Sequence, residues 1–197
     1  MHFKTIAALF AAAASASPVR RSTCTEDTGN TNFGPFGIMA LRSASPIHFA
    51  QAGAAQNGLY LNLPEQNATC TGDGPSPPGA IFTLVDGKLY LYAEPEPYQQ
   101  IFVDRSGMGQ GILGYITGDQ GTPRYAELEG WELDANDNLS FKGAGLIACP
   151  NSLDGAWKIW ASVGINKPAG QEGCLGFSPR AIELTEPKSC EYTQYGV

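Results

Sequence analysis

Between Phe36 and Leu184 the apolar residues fall in short alternating runs, and almost every run ends on Gly, Pro, Asn or Asp. Phe36-Gly37-Ile38-Met39-Ala40-Leu41 alternates and predicts a first strand, and Pro46-Ile47-His48-Phe49 predicts a second. Gln56-Asn57-Gly58 predicts a hairpin turn into Leu59-Tyr60-Leu61. The clearest hairpin is Ile81-Phe82-Thr83-Leu84-Val85, turning on Asp86-Gly87 into Lys88-Leu89-Tyr90-Leu91-Tyr92. Further strands are predicted at residues 100–103, 114–116, 130–133, 139–141, 146–148, 157–161 and 181–184. Residues 71–79, Thr-Gly-Asp-Gly-Pro-Ser-Pro-Pro-Gly, can form neither helix nor central strand and read as a loop.

No window after residue 21 keeps apolar residues at helical spacing for three turns. Many short strands with frequent turn signals predict an all-β, single-domain antiparallel β-sandwich or barrel. The similar pieces ending at residues 61, 91 and 141 make a β-trefoil-like arrangement the alternative, although their unequal spacing gives no regular repeat.

The start of the chain differs. Lys4 precedes the apolar run Thr5-Ile6-Ala7-Ala8-Leu9-Phe10-Ala11-Ala12-Ala13-Ala14, which closes on Ala14-Ser15-Ala16. This is the layout of a secretory signal peptide cleaved after Ala16, and it is too short for the roughly 20 apolar residues of a membrane span. Arg20-Arg21 offers a second processing site. The expected organisation is a signal peptide at residues 1–16, a tail at 17–35 processed after Arg21, and one all-β domain at 36–197. The chain carries a net charge of −7. Such a chain gains nothing from counterion release on nucleic acid and little from anionic lipid, so neither nucleic acid nor membrane is expected as a partner.

Five cysteines follow the signal: Cys24, Cys70, Cys149, Cys174 and Cys190. No CxxC pair occurs and His48 is the one histidine after residue 16, so no metal site is expected and disulfides are. An odd count allows two internal bridges at most. Cys149 and Cys174 would staple neighbouring strands if the strand beginning at Trp157 lay between them. Asn67-Ala68-Thr69 and Asn138-Leu139-Ser140 match the N-glycosylation acceptor pattern in turn-like surroundings.

Catalytic signals are weak. Gly109-Gln110-Gly111-Ile112-Leu113-Gly114 matches GxGxxG, but strand and turn follow where a cofactor-binding helix would have to begin, so no cofactor is expected. His48, with Ser43 and Ser45 nearby on one short segment, lacks the placed partners of a triad and reads as structural. Glycoside hydrolysis needs only two carboxylates about 5–10 Å apart. Glu94, Glu96, Asp104, Glu127, Glu129 and Glu132 qualify by number alone. Tyr90, Tyr92, Tyr98, Trp131, Trp157 and Trp160 lie on or near strands, where an exposed ring could stack a sugar but core packing is the default. Trp157 and Trp160 should point to opposite faces, one into the core and one nearer the surface.

The block at residues 36–49 resembles the opening of the fungal phialide-type cell-wall proteins, also known as IgE-binding proteins. Leu146-Ile147-Ala148-Cys149-Pro150, Trp157-Lys158-Ile159-Trp160-Ala161 and Gly173-Cys174-Leu175-Gly176-Phe177 resemble its later blocks in the same order. The resemblance implies a secreted, wall-associated protein with no catalytic motif to transfer. Cys149 and Cys174, at the ends of blocks framing the Trp157 strand, are expected to pair. The reading is a secreted, glycosylated, non-catalytic structural protein of a fungal cell wall, with wall polysaccharide as its candidate partner. Its rivals are a glycan-binding module and a two-carboxylate glycoside hydrolase.

Overall fold

The computed structural model describes residues 29–96 and 98–194. Ala16, Arg20-Arg21 and Cys24, with the expected signal peptide, lie outside them. The described strands are β1 (Phe33–Leu41), β2 (Ala52–Ala55), β3 (Gly58–Leu61), β4 (Thr69–Cys70), β5 (Ile81–Val85), β6 (Lys88–Leu91), β7 (Gln99–Asp104), β8 (Ile112–Thr117), β9 (Ala126–Glu127), β10 (Trp131–Leu133), β11 (Leu139–Phe141), β12 (Leu146–Cys149), β13 (Trp157–Ala161), β14 (Leu175–Glu183) and β15 (Cys190–Glu191). Among the described residues helix is confined to two single 3₁₀ turns, Leu153–Gly155 and Pro168–Gly170.

Eight strands close into an antiparallel barrel in the order β12-β14-β1-β5-β6-β7-β8-β13, and β13 pairs back to β12. The expected all-β barrel is therefore the architecture, and the trefoil alternative is not. One edge of β13 pairs along its length with β12. The other edge is shared: Trp157 and Lys158 pair with the β2–β3 hairpin, and Trp160 pairs with Ile112 of β8.

Alternation decides which side chains enter. Phe36, Ile38 and Ala40 of β1 are buried while their neighbours face outward. The same period places Phe82 and Leu84, Leu89 and Leu91, Ile101 and Val103, Leu113 and Tyr115, and Ile159 and Ala161 in one core. An eight-stranded barrel is just wide enough for such side chains to fill it.

Both ends are sealed by the chain itself. At the end near the Asp86-Gly87 turn, the β10–β11 hairpin inserts Trp131, Leu133, Leu139 and Phe141 into the core. The Gly87 carbonyl accepts from Gly130 N–H and Trp131 N–H, both at 3.0 Å, and Ala181 N–H donates to Asp137 O at 2.8 Å. At the opposite end the C-terminal segment buries Tyr192. The Gln99 amide reads its backbone twice, accepting from Tyr192 N–H at 2.8 Å and donating to Tyr192 O at 2.9 Å. The Tyr192 hydroxyl accepts from Ile81 N–H at 3.0 Å, and the Tyr115 hydroxyl donates to Thr193 O. Burial pushes the Tyr192 phenol up to about 12.

Cys70 pairs with Cys190, joining β4 to β15 beside this segment, and Cys149 pairs with Cys174. The second bridge does not straddle β13 as its premise supposed. β12 itself lies between β13 and β14, so the bridge ties the end of β12 to the entry of its direct neighbour.

The predicted second strand is a correction. Residues 43–49 form consecutive turns, with His48 N–H donating to Ser45 O at 3.2 Å and Ala50 N–H to Ile47 O at 3.1 Å. Ala44 and Phe49 take φ of 55° and 64°, which no strand permits. Ile47 is buried, but Phe49 is 62% exposed, so the apparent alternation reflects a turn and not a strand. Trp157 and Trp160 face opposite ways, as alternation predicts, but the outer ring is covered. Trp157 packs against the barrel core, and Trp160, on the outer face, is only 5% exposed, so neither is a surface ring. The glycine motif forms a tight bend before β8. A Cβ on Gly111 would lie 2.3 Å from Ala161 O, which explains the glycine as a close approach of two strands.

Chain-entropy arguments rank the two bridges, which span 120 and 25 residues. Replacing Cys70 and Cys190 with serine should lower unfolding free energy by about 5 kcal/mol, against about 3.5 kcal/mol for Cys149 and Cys174. Urea denaturation of the two double variants, compared with the unmodified chain, measures both.

Candidate functional site

A filled barrel with sealed ends leaves only its outside for a partner, so the sequence-derived candidates must be judged by where they surface. The carboxylates are engaged with separate partners. The Tyr92 hydroxyl donates to Glu94 at 2.5 Å, and this bond raises the Tyr92 phenol to about 12. Asp104 caps Ser106 N–H at 2.9 Å, Glu129 pairs with Lys88 at 3.0 Å, and the Ser140 hydroxyl donates to Glu132 at 3.3 Å. Glu96 sits exposed in the loop after β6. Glu127 is bound elsewhere, as described below.

His48 is not part of a triad. Its Nδ1 accepts from Arg42 N–H at 3.1 Å, and its ring stacks on Phe49 at 3.8 Å. Ser45 donates to Arg42 O instead. Among the proposed aromatics, Trp131 is fully buried, Tyr90 and Tyr92 are half-buried, and Tyr98 is exposed. Among the described residues no group of three or more His, Cys, Asp or Glu could hold a metal, and no helix is long and apolar enough to cross a membrane.

The two sequons differ. Asn67 is exposed at φ 49° in the loop before β4. Asn138 is half-buried and clamped. Its amide nitrogen donates to Asp134 Oδ2 at 3.0 Å, while its oxygen accepts from Arg180 Nε at 3.3 Å. These bonds, with the Asn136 and Asn138 N–H groups, hold the Asp134 carboxyl below its usual range.

The built feature of the surface is an open basin of about 570 Å³ near the β10–β11 end. It forms because β7 runs on into the bend before β8 while β9 lies along the edge of β7. That register sets Arg105 against Glu127. The guanidinium donates twice to the carboxylate, at 2.7 and 2.8 Å, and Lys142 adds a third contact at 2.5 Å. Both cations lie about one ring-contact distance over Phe141, at 5.6 and 5.5 Å, so their stems cover the hairpin that seals the barrel. Arg105 first, and then Lys142, hold the Glu127 carboxyl down at about 2. Ser106, Ala144, Ser162 and Val163 complete the lining, together with Tyr125, which is 49% exposed. Tyr125 was absent from the aromatic candidates because it lies in a polar stretch with no strand pattern. Its neighbours Pro123 and Arg124 were the only signal of a displayed ring.

Residues 36–193 match the PhiA-like secreted protein family. The chain belongs to that family. The cell wall protein phiA of Aspergillus fumigatus is 45% identical over 183 residues, covering 93% of this chain and 96% of the relative. The phiA cell wall proteins of Aspergillus niger and Emericella nidulans are 43% and 44% identical, each over 94% of this chain and at least 96% of their own length. No solved structure matches the chain significantly. The expected family resemblance therefore holds, and with it the expected place: this is a secreted protein of the fungal cell wall.

The Glu127 ion cluster gives a pH-dependent contribution. Its folded-state pKa lies below the ordinary carboxylate value of 4.5. The stabilisation is therefore complete above about pH 4.5 and fades as pH falls towards 2. Because Arg105 and Lys142 are partly solvated, a discounted figure of about 1–2 kcal/mol is expected at pH 7. Glu127→Gln should lower the unfolding free energy from urea denaturation at pH 7 by that amount, and the difference should vanish near pH 2.

Proposed function

We propose that this chain is a non-catalytic structural component of the fungal wall whose outer surface, and not an enclosed cleft, meets its surroundings. The observation that supports this reading is the sealed interior: Trp131 and Phe141 fill one end and Tyr192 the other. Hydrolysis needs two carboxylates facing one bond, one of them with a raised pKa. Here Glu127, the most strongly shifted carboxyl, is shifted down and held by two cations, the opposite of a general acid. Incubating purified protein with wall polysaccharide should release no reducing ends. Release that a single Asp or Glu amide variant abolishes, with folding intact, would instead establish the hydrolase.

Glycosylation belongs to the same proposal, and the geometry favours Asn67. A sugar on Asn138 would replace an amide hydrogen in the clamp that ties the β11 turn to β14. Protein secreted from a eukaryotic host should lose one glycan's mass on N-glycosidase treatment, and Asn67→Gln should remove that shift. Asn138→Ala should leave the mass shift in place but cost about 1 kcal/mol of stability. A glycan mapped to Asn138 would overturn the assignment.

A further inference from the structure

The basin beside Tyr125 combines an exposed ring with a fixed ion cluster. Phe49 is a more exposed ring, but His48 stacks on it at 3.8 Å in a turn, whereas the nearest cation to Tyr125, the Arg124 guanidinium, lies 5.2 Å from its ring centroid. The cleft between Met39, Pro77, Pro78 and Ile182 is almost wholly apolar. In the basin, an exposed ring and Val163 stand beside a fixed carboxylate, a fixed guanidinium and two hydroxyls.

We infer that this basin is a binding subsite for an uncharged pyranose chain, with Tyr125 as its stacking platform and Arg105, Glu127, Ser106 and Ser162 as its hydroxyl partners. The inference rests on the reading of the chain as a wall component. A pyranose ring carries C–H groups on its faces and hydroxyls around its edge. The faces suit an aromatic ring and the edge suits planar polar groups. Arg105 spends two of its five N–H donors on Glu127, leaving about three, and the Glu127 carboxylate retains about one of its four acceptor positions. The Ser106 oxygen accepts from Gly109 N–H at 3.1 Å, which leaves its proton to donate. The exposed Ser162 adds a second hydroxyl. An array rich in donors, with a remaining acceptor, matches neighbouring hydroxyls that both accept and donate.

The array is also pre-organised. Three short charge-assisted bonds fix Glu127, and the Phe141 ring lies beneath both of its cations. A ligand meeting such groups does not have to order them, which removes one of the costs of binding. The chain's overall charge favours an uncharged ligand over an acidic one. Two cations against one carboxylate leave the cluster itself at +1, and Arg124 lies beside Tyr125, but the whole chain carries −7.

Titration calorimetry of the purified, deglycosylated chain with three hexasaccharides tests this: glucose, N-acetylglucosamine and galacturonic acid. Binding of at least one uncharged hexasaccharide is expected, with the acidic one weaker. Tyr125→Ala should weaken that binding at least about tenfold. Phe49→Ala, which removes a more exposed ring elsewhere, should leave it unchanged. Neither variant alters a core residue, so urea midpoints should match the unmodified chain. No binding of either uncharged hexasaccharide, tighter binding of the acidic one, or an unaffected Tyr125→Ala would each overturn the subsite. Those outcomes are distinguishable from failure of the wall-component reading, which would show as newly formed reducing ends in the same cell.

Discussion

An eight-stranded barrel has a bore of side-chain width and two open mouths, and the apolar lining of those mouths must be kept from water. Everything else in this chain follows from how it meets that requirement. A hairpin, β10–β11, closes one mouth with four large apolar residues, and the C-terminal segment closes the other with Tyr192. The second closure is the more demanding. A terminal segment entering a core brings unpaired backbone polar groups with it, and each would cost about 1–3 kcal/mol if left unsatisfied. Gln99, one of the few fully buried polar side chains, answers the Tyr192 N–H and C=O together, as a neighbouring strand would. The Cys70–Cys190 bridge then fastens the segment two residues before the plug.

Sealing the interior moves every possible interaction to the rim and outer faces. The ion cluster shows how one arrangement serves both needs. Arg105 and Lys142 cover Phe141, the inner plug of the hairpin end, and by converging on Glu127 they also set a rigid polar group at the surface. Exposed ion pairs contribute little singly, but two cations sharing one carboxylate over an aromatic ring have fewer conformations to lose.

The barrel was largely legible because its strands obey a period of two. β5, β13 and the β10–β11 pair stand where alternation and turn residues put them, and the Gln56-Asn57 turn takes positive φ at both residues, as a tight hairpin requires. Residues 46–49 misled for the same reason. Two apolar residues two apart satisfy the pattern, yet Pro46 and the left-handed Phe49 make a turn that buries only Ile47. β4, β9 and β15 escaped because two residues cannot display a period. Sequence also could not tell which of six carboxylates mattered. Glu127 is distinguished by Arg105, 22 positions away, which the β7–β9 register brings to it, and by Lys142, which the β10–β11 hairpin supplies. Tyr125 escaped for a related reason: exposure depends on what the fold leaves uncovered, and local sequence does not record it.

The span shared with the family carries a physical meaning. It runs from residue 36 to residue 193. Phe36 is the first fully buried side chain of β1, and Thr193 is, among the described residues, the last whose backbone carbonyl joins the plug, through the Tyr115 hydroxyl and Asn57 N–H. The common unit is thus the barrel together with its closure, and not the barrel alone. A closure made from the chain's own residues cannot be traded for a ligand without opening the core, since Tyr192 occupies the space and Gln99 is matched to its backbone. A fold sealed in this way is suited to persisting in an extracellular matrix, and it leaves recognition to whatever its rim displays. On this chain the rim displays Tyr125 beside a fixed Arg105–Glu127 pair.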